Sequence, residues 1–166
     1  MQLLKARACS ATAVLMLAAV PPTAPAHAEE TFAIDVAVSL SRAAAQRLAA
    51  EGEGMVVAAY YYGEPTAAGQ AHVDEIGRID LGSATVDLPG RPTTVRIGGS
   101  ELVRSALRWV KGPVWVNINI WSARLSGPDN ILDCDFFDGE IARATAGPVT
   151  LRCALIGEGF QPEARS

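Results

Sequence analysis

The chain has 166 residues, 49% of them hydrophobic and 19% charged, with 14 basic and 18 acidic side chains for a formal net charge of −4. A chain of this length forms one domain with a core large enough to stand without many cross-links. A negative balance with scattered arginines excludes the basic footprint that a phosphate backbone demands, so nucleic acid is not an expected partner.

The opening stretch MQLLKARACSATAVLMLAAVPPTAPAHAEE places Lys5 and Arg7 ahead of an apolar run, Ala11 to Val20, followed by prolines and the small-residue triplet Ala26, His27, Ala28. This order of charged, apolar and small residues predicts a secretory signal peptide over 1–28, cleaved after Ala28. The apolar run is about half of the ~20 residues that span a bilayer, and no later stretch is long enough, so the mature chain is expected to lack a membrane span. Cys9 precedes the apolar run, whereas a lipid-bearing cysteine would follow it. The expected location is periplasmic or secreted. Loss of 1–28 would remove two basic residues and no acidic one, leaving 12 − 18 = −6, with His72 as the sole histidine and Cys134 and Cys153 as the cysteines.

Past the leader, FAIDVAVSL puts Phe32, Ile34, Val36, Val38 and Leu40 on one parity, the pattern of a half-buried strand. RAAAQRLAAE follows, with Ser41 as the expected N-cap and Gly52 as the stop of a helix over Arg42–Glu51. MVVAAYYYGEP returns to strand composition, and AAGQAHVDE reads as a polar loop. GRIDLGSATVDLPG and TTVRIGG predict shorter strands, and SELVRSALRWV a short helix capped by Ser100. GPVWVNINIW and PVTLRCALI carry the clearest strand patterns. ILDCDFF, if extended, places Asp133 and Asp135 together on the face opposite Cys134 and Phe136.

Strands outnumber helices, and most connections are too short for a parallel crossover. The expected fold is mainly β: an antiparallel β-sandwich of about seven strands with one or two short helices, over residues 29–156, followed by a tail over 157–166. The alternative is an α+β arrangement, an antiparallel sheet with a helix on one face.

Four groups of residues could carry function. Two cysteines separated by eighteen residues in an exported chain are expected to form a disulfide, since Cys-x-x-Cys spacing is absent and zinc would require about four nitrogen or sulfur ligands. Asp133, Asp135 and Asp138, with Asp129 and Glu140 nearby, are weak calcium candidates, because the spacing departs from a calcium loop at Asp138. The expectation for them is solvated charge that protects a strand edge. His72 with Asp74 is the weak catalytic candidate, there being no nucleophile elbow to accompany it. No cofactor motif occurs.

The remaining group lies in VWVNINIW. Alternation puts Val114, Val116, Ile118 and Ile120 on one face and Trp115, Asn117, Asn119 and Trp121 on the other, with Tyr60 and Tyr62 able to extend the second face from a neighbouring strand. Flat aromatics bracketing amides suit a sugar ring or a peptide. The competing expectation is that the helix Arg42–Glu51 lies across this face and the aromatics fill that layer. On these grounds the expected function is that of an exported, non-catalytic binding module of the cell envelope, taking a glycan, a peptide or an envelope protein. A small hydrolase working through His72 and a structural envelope subunit are the alternatives.

The leader generates the first prediction. Intact mass of the exported protein should correspond to a chain beginning at Glu29; a product that retains Cys9 would contradict both the compartment and the pairing of the other cysteines.

Overall fold

The computed structural model describes residues 32–166, so the leader expected over 1–28 lies outside the described residues. The elements run β1 (Ile34–Leu40), α1 (Arg42–Glu51), β2 (Met55–Pro65), β3 (Ile79–Leu88), β4 (Thr93–Ile97), β5 (Val110–Ser122), β6 (Leu132–Cys134), β7 (Phe136–Glu140), α2 (Ile141–Ala144), β8 (Val149–Leu155) and β9 (Ala164–Arg165), with 3-10 turns at Ala68–His72 and Arg104–Trp109. The strands form a four-stranded sheet ordered β4-β1-β8-β6 and a five-stranded sheet ordered β3-β2-β5-β7-β9.

Period-2 alternation builds one core between the sheets. Ile34, Val36 and Val38 of β1 and Leu151 of β8 join Met55, Val57, Ala59 and Tyr61 of β2 and Val116, Ile118 and Ile120 of β5 in a single buried cluster. Tyr61 is wholly buried, and its hydroxyl donates to the Phe32 carbonyl at 2.9 Å. Gly98 makes room for that contact: it sits at φ +82°, and a Cβ there would fall 1.7 Å from the Tyr61 hydroxyl oxygen.

The mainly β, two-sheet fold agrees with the sequence reading, and three details differ. First, β1 pairs with β8 and β7 with β9 in parallel. The ends of β1 and β8 are separated by more than enough chain for a parallel crossover, a connection that local loop lengths do not reveal. Second, ILDCDFF is not one strand. β6 pairs with β8 in one sheet and β7 with β5 in the other, so the chain changes sheets at Asp135. Third, the expected helix after Ser100 is reduced to the 3-10 turn Arg104–Trp109, because Val103 N–H donates to the Leu81 carbonyl at 2.8 Å and ties the preceding residues to β3.

Asp135 is the clearest departure from expectation. Its side chain is only 1% exposed, not solvated edge charge. Its carboxylate accepts from Glu163 N–H at 2.8 Å, Arg152 N–H at 3.3 Å and the Arg165 guanidinium at 2.9 Å. Burial raises its pKa, but these donors outweigh burial and leave it below the ordinary carboxylate value. Residues 157–166, expected as a tail, carry β9 onto the edge of β7 through this anchor.

α1 begins where expected. The Ser41 hydroxyl accepts from Ala44 N–H at 3.0 Å, and Gly52 at φ +62° closes the helix with its N–H on the Leu48 carbonyl. The helix packs on β8 and sends Ala44 and Leu48 into the common core. Immediately after it, the buried Glu53 carboxylate accepts from Gly54, Leu125 and Ser126 N–H and from the Ser126 hydroxyl. These bonds hold the turn after β5, where Arg124 takes the left-handed φ of 60°. Burial raises the Glu53 pKa, yet its four donors prevail and bring it from the ordinary 4.5 to about 2.

The expected disulfide is present. Cys134 and Cys153 are direct partners on β6 and β8, with Cα atoms 4.0 Å apart and sulfurs bonded at 2.04 Å. Such close Cα spacing belongs to a non-hydrogen-bonded antiparallel pair.

Two stability predictions follow from these contacts. Reduction, or the Cys134→Ser/Cys153→Ser double variant, should cost about 3 kcal/mol in denaturant unfolding, the entropy of a loop this size; two thiols that alkylate freely in the native protein would contradict the bond. For Glu53, a folded pKa below the unfolded one means that the unfolded chain binds the extra proton between about 2 and 4.5. The stability it contributes is therefore complete above about pH 4.5 and lost as pH falls toward 2. Glu53→Gln should lower stability at pH 7 and flatten that part of the stability-pH curve, and a variant curve parallel to that of the parent would exclude this role.

Candidate functional site

The outer face of the five-stranded sheet collects the aromatic and amide residues singled out from the sequence. In register, Tyr62 lies opposite Trp115, Tyr60 opposite Asn117, Ala58 opposite Asn119 and Val56 opposite Trp121. This parity points away from the core, because the alternate residues Val116, Ile118 and Ile120 are the buried ones. α1 packs on β8 of the other sheet and feeds the core side, so it does not cover this strip. The expectation of a helix across the face is thereby corrected. The alanine spacing that suggested close approach to the aromatics serves the core instead, through Ala44 and Leu48.

The strip is graded in exposure. Asn119 is exposed, Trp115, Asn117, Trp121 and Tyr60 are half-buried, and Tyr62 is buried to 7%. Tyr60 and Tyr62 stack with ring centres 5.7 Å apart, and Tyr62 and Trp115 follow at 6.4 Å with planes 23° apart, so three rings form a near-parallel shelf. The Asn119 amide donates to the Asn117 side-chain oxygen, which orders the pair of amides between the tryptophans. Trp121 lies six residue steps along β5 from Trp115, about 20 Å at ~3.3 Å per residue.

Carboxylates pin the tyrosine hydroxyls. Tyr62 donates to Asp138 Oδ1 at 2.6 Å and Tyr60 to Asp74 Oδ2 at 3.1 Å. Burial first, and then these acidic acceptors, push both phenols up to about 12. Both stay protonated donors at neutral pH, which suits recognition and not nucleophilic attack.

A short turn supplies the other part of the shelf. In Asp74-Glu75-Ile76-Gly77-Arg78, Asp74 Oδ1 accepts from Ile76 and Arg78 N–H at 3.0 and 2.9 Å, and Gly77 adopts φ +82°. That aspartate and glycine spacing is turn chemistry with a local cause. It delivers the Arg78 guanidinium to 4.1 Å above the centre of the Tyr62 ring. The sequence reading ends the polar loop at Glu75 and starts a strand at Gly77, dividing this turn between them; its Asp-x-x-Gly pattern is a signal for the turn, but nothing in it places Arg78 on Tyr62. Tyr62, Arg78 and Trp115 line an open cleft of about 340 Å³. Trp115 also walls a second cleft of about 390 Å³ with Lys111, Pro113 and Glu140, where Lys111 pairs with Glu64 at 3.3 Å.

The remaining candidates are not brought together. His72 is exposed at the end of its 3-10 turn and stacks on Trp109 with ring centres 4.3 Å apart, while both oxygens of Asp74 serve the turn and Tyr60. Asp133 lies on β6, Asp135 is committed to Arg165, and Asp138 to Tyr62. Among the described residues no three His, Cys, Asp or Glu side chains converge as metal ligands. No helix among them is long and apolar enough to cross a membrane. No family model, curated protein or solved structure matches the chain.

Proposed function

We propose that this chain is an exported binding module of the cell envelope, and that the outer face of its five-stranded sheet is the working surface. The observation that carries the reading is the ordered shelf of Tyr60, Tyr62 and Trp115, continued by Asn117 and Asn119, on a face that α1 leaves uncovered. Stacked rings offer broad apolar contact at low entropic cost, and fixed amides and phenol hydroxyls add direction. Aromatic surface left outside the core of a small domain is otherwise costly to solubility and is a mark of interaction sites. A glycan, a peptide or another envelope protein has the chemistry to use such a face. Export is supported by the leader pattern over 1–28 and by the Cys134–Cys153 bond, which persists in oxidising compartments.

Capture from envelope extract tests the reading. The domain from Glu29 onward should retain a partner, and Trp115→Ala/Trp121→Ala should lose it. The double variant should remain folded, with a stability loss well below the ~3–5 kcal/mol that each fully buried tryptophan would cost. His72→Ala should capture normally. Retention by the double tryptophan variant, or loss on changing His72, would refute the assignment of this face.

A further inference from the structure

The charges around the aromatic shelf say which ligands it favours. On β3, Asp80 and Asp87 are direct partners of Tyr62 and Val56 and therefore lie on the outer face; on β7, Asp138 and Glu140 are direct partners of Asn117 and Trp115 and do the same. With Asp74 at the Tyr60 hydroxyl, five carboxylates flank the shelf on both sides. Arg78 brings one cation to them, and the Lys111–Glu64 pair at the Trp115 end cancels itself. These six groups sum to 1 − 5 = −4. Electron-rich ring faces bordered by carboxylates attract cations and repel acidic ligands.

The second observation is independent of this sum. The guanidinium carbon of Arg78 already lies over the Tyr62 ring, 4.1 Å from its centre, on the turn that Asp74 caps. The shelf thus accommodates a guanidinium within the protein itself, at the wall of the cleft that Tyr62 shares with Trp115.

Resting on the reading of this face as a binding surface, we propose that its ligand is a basic, extended polypeptide segment, whose arginine or lysine side chains lie on the Tyr60, Tyr62 and Trp115 rings between the acidic flanks, and that Arg78 is an internal competitor for the central ring. The strip between Trp115 and Trp121 is about 20 Å long, which matches six residues of extended peptide. Asp138 and Glu140 border the Trp115 half of that strip on the β7 side, and Asp80 and Asp87 lie beyond β2 on the other, so side chains alternating to left and right would meet carboxylates on either side. Arg78 keeps Tyr62 covered in the absence of ligand, so a peptide guanidinium must displace it to reach that ring.

Titration with blocked hexa-arginine, followed by tryptophan fluorescence, tests the proposal at low and physiological salt. Hexa-glutamate and the neutral sugar chitohexaose serve as comparators. Hexa-arginine should bind best, more weakly as salt rises. Trp115→Ala and the pair Asp138→Asn/Glu140→Gln should each weaken it about tenfold, whereas the charge-matched pair Asp35→Asn/Asp133→Asn on the other sheet should change it less than about twofold. Arg78→Ala should tighten binding roughly threefold or more by freeing the Tyr62 ring. Equal weakening by the two neutralised pairs would reduce the effect to bulk charge and overturn the proposal, as would weaker binding in Arg78→Ala or a preference for chitohexaose. If Trp115-dependent capture from envelope extract persists while hexa-arginine is silent, the cationic class falls and the binding face stands. If Trp115→Ala affects neither assay, both fall together.

Discussion

The structure depends on how the chain passes from one sheet to the other at Asp135. Cys134 and Phe136 belong to different sheets, and the single residue between them has its carboxylate out of water. An isolated carboxylate there would be expensive; hydrogen bonds from Glu163 and Arg152 N–H and an ion pair with Arg165 make it tenable. These partners come from β8 and the C-terminal residues, so the crossing, the disulfide beside it and β9 form one unit. β7, held on the far side of the crossing, is the strand that brings Asp138 to Tyr62 and Glu140 to Trp115. The aromatic face therefore inherits its acidic flank from a structural solution made at the other sheet.

Much of this was legible in the chain because the deciding interactions are local or periodic. Ser41 and Gly52 frame α1 through caps made within a few residues. Alternation in VWVNINIW separates core from outer face correctly, since a strand has only two faces to choose from. Cys134 and Cys153 are the two cysteines among the described residues, which left little choice of partner. What was not legible depends on contacts distant in sequence. The parallel pairing of β1 with β8 joins residues more than a hundred positions apart. Asp135 had the composition of a solvated edge because its compensating cation, Arg165, lies thirty residues further on. The fate of the Trp and Asn face turned on where α1 packs, which its small, evenly distributed alanines do not specify.

The aromatic face shows how backbone chemistry can set side-chain function. Gly77 permits the tight turn, the Asp74 carboxylate caps it, and the same carboxylate accepts the Tyr60 hydroxyl from its other oxygen. One aspartate thus fixes both the height of Arg78 above Tyr62 and the orientation of the neighbouring phenol. Proximity in sequence pairs Asp74 with His72 as a catalytic candidate; in the fold Asp74 sits between Tyr60 and Arg78, while His72 packs on Trp109.

Those hydrogen bonds also constrain what the tyrosines can do chemically. A phenol that donates to a carboxylate is harder to ionise, because the anion would face a second negative charge across a short distance. Tyr60 and Tyr62 are pushed up to about 12 after burial and these acceptors act together. Neither can supply a phenolate at neutral pH, so covalent chemistry at the shelf has no activated tyrosine oxygen to begin from. The arrangement instead spends each hydroxyl on holding its ring at a fixed angle, and a rigid ring loses little entropy when a ligand settles on it. The rigidity of the shelf arises here from two tyrosines whose polar ends are turned to the protein's own acids, Tyr60 to Asp74 and Tyr62 to Asp138.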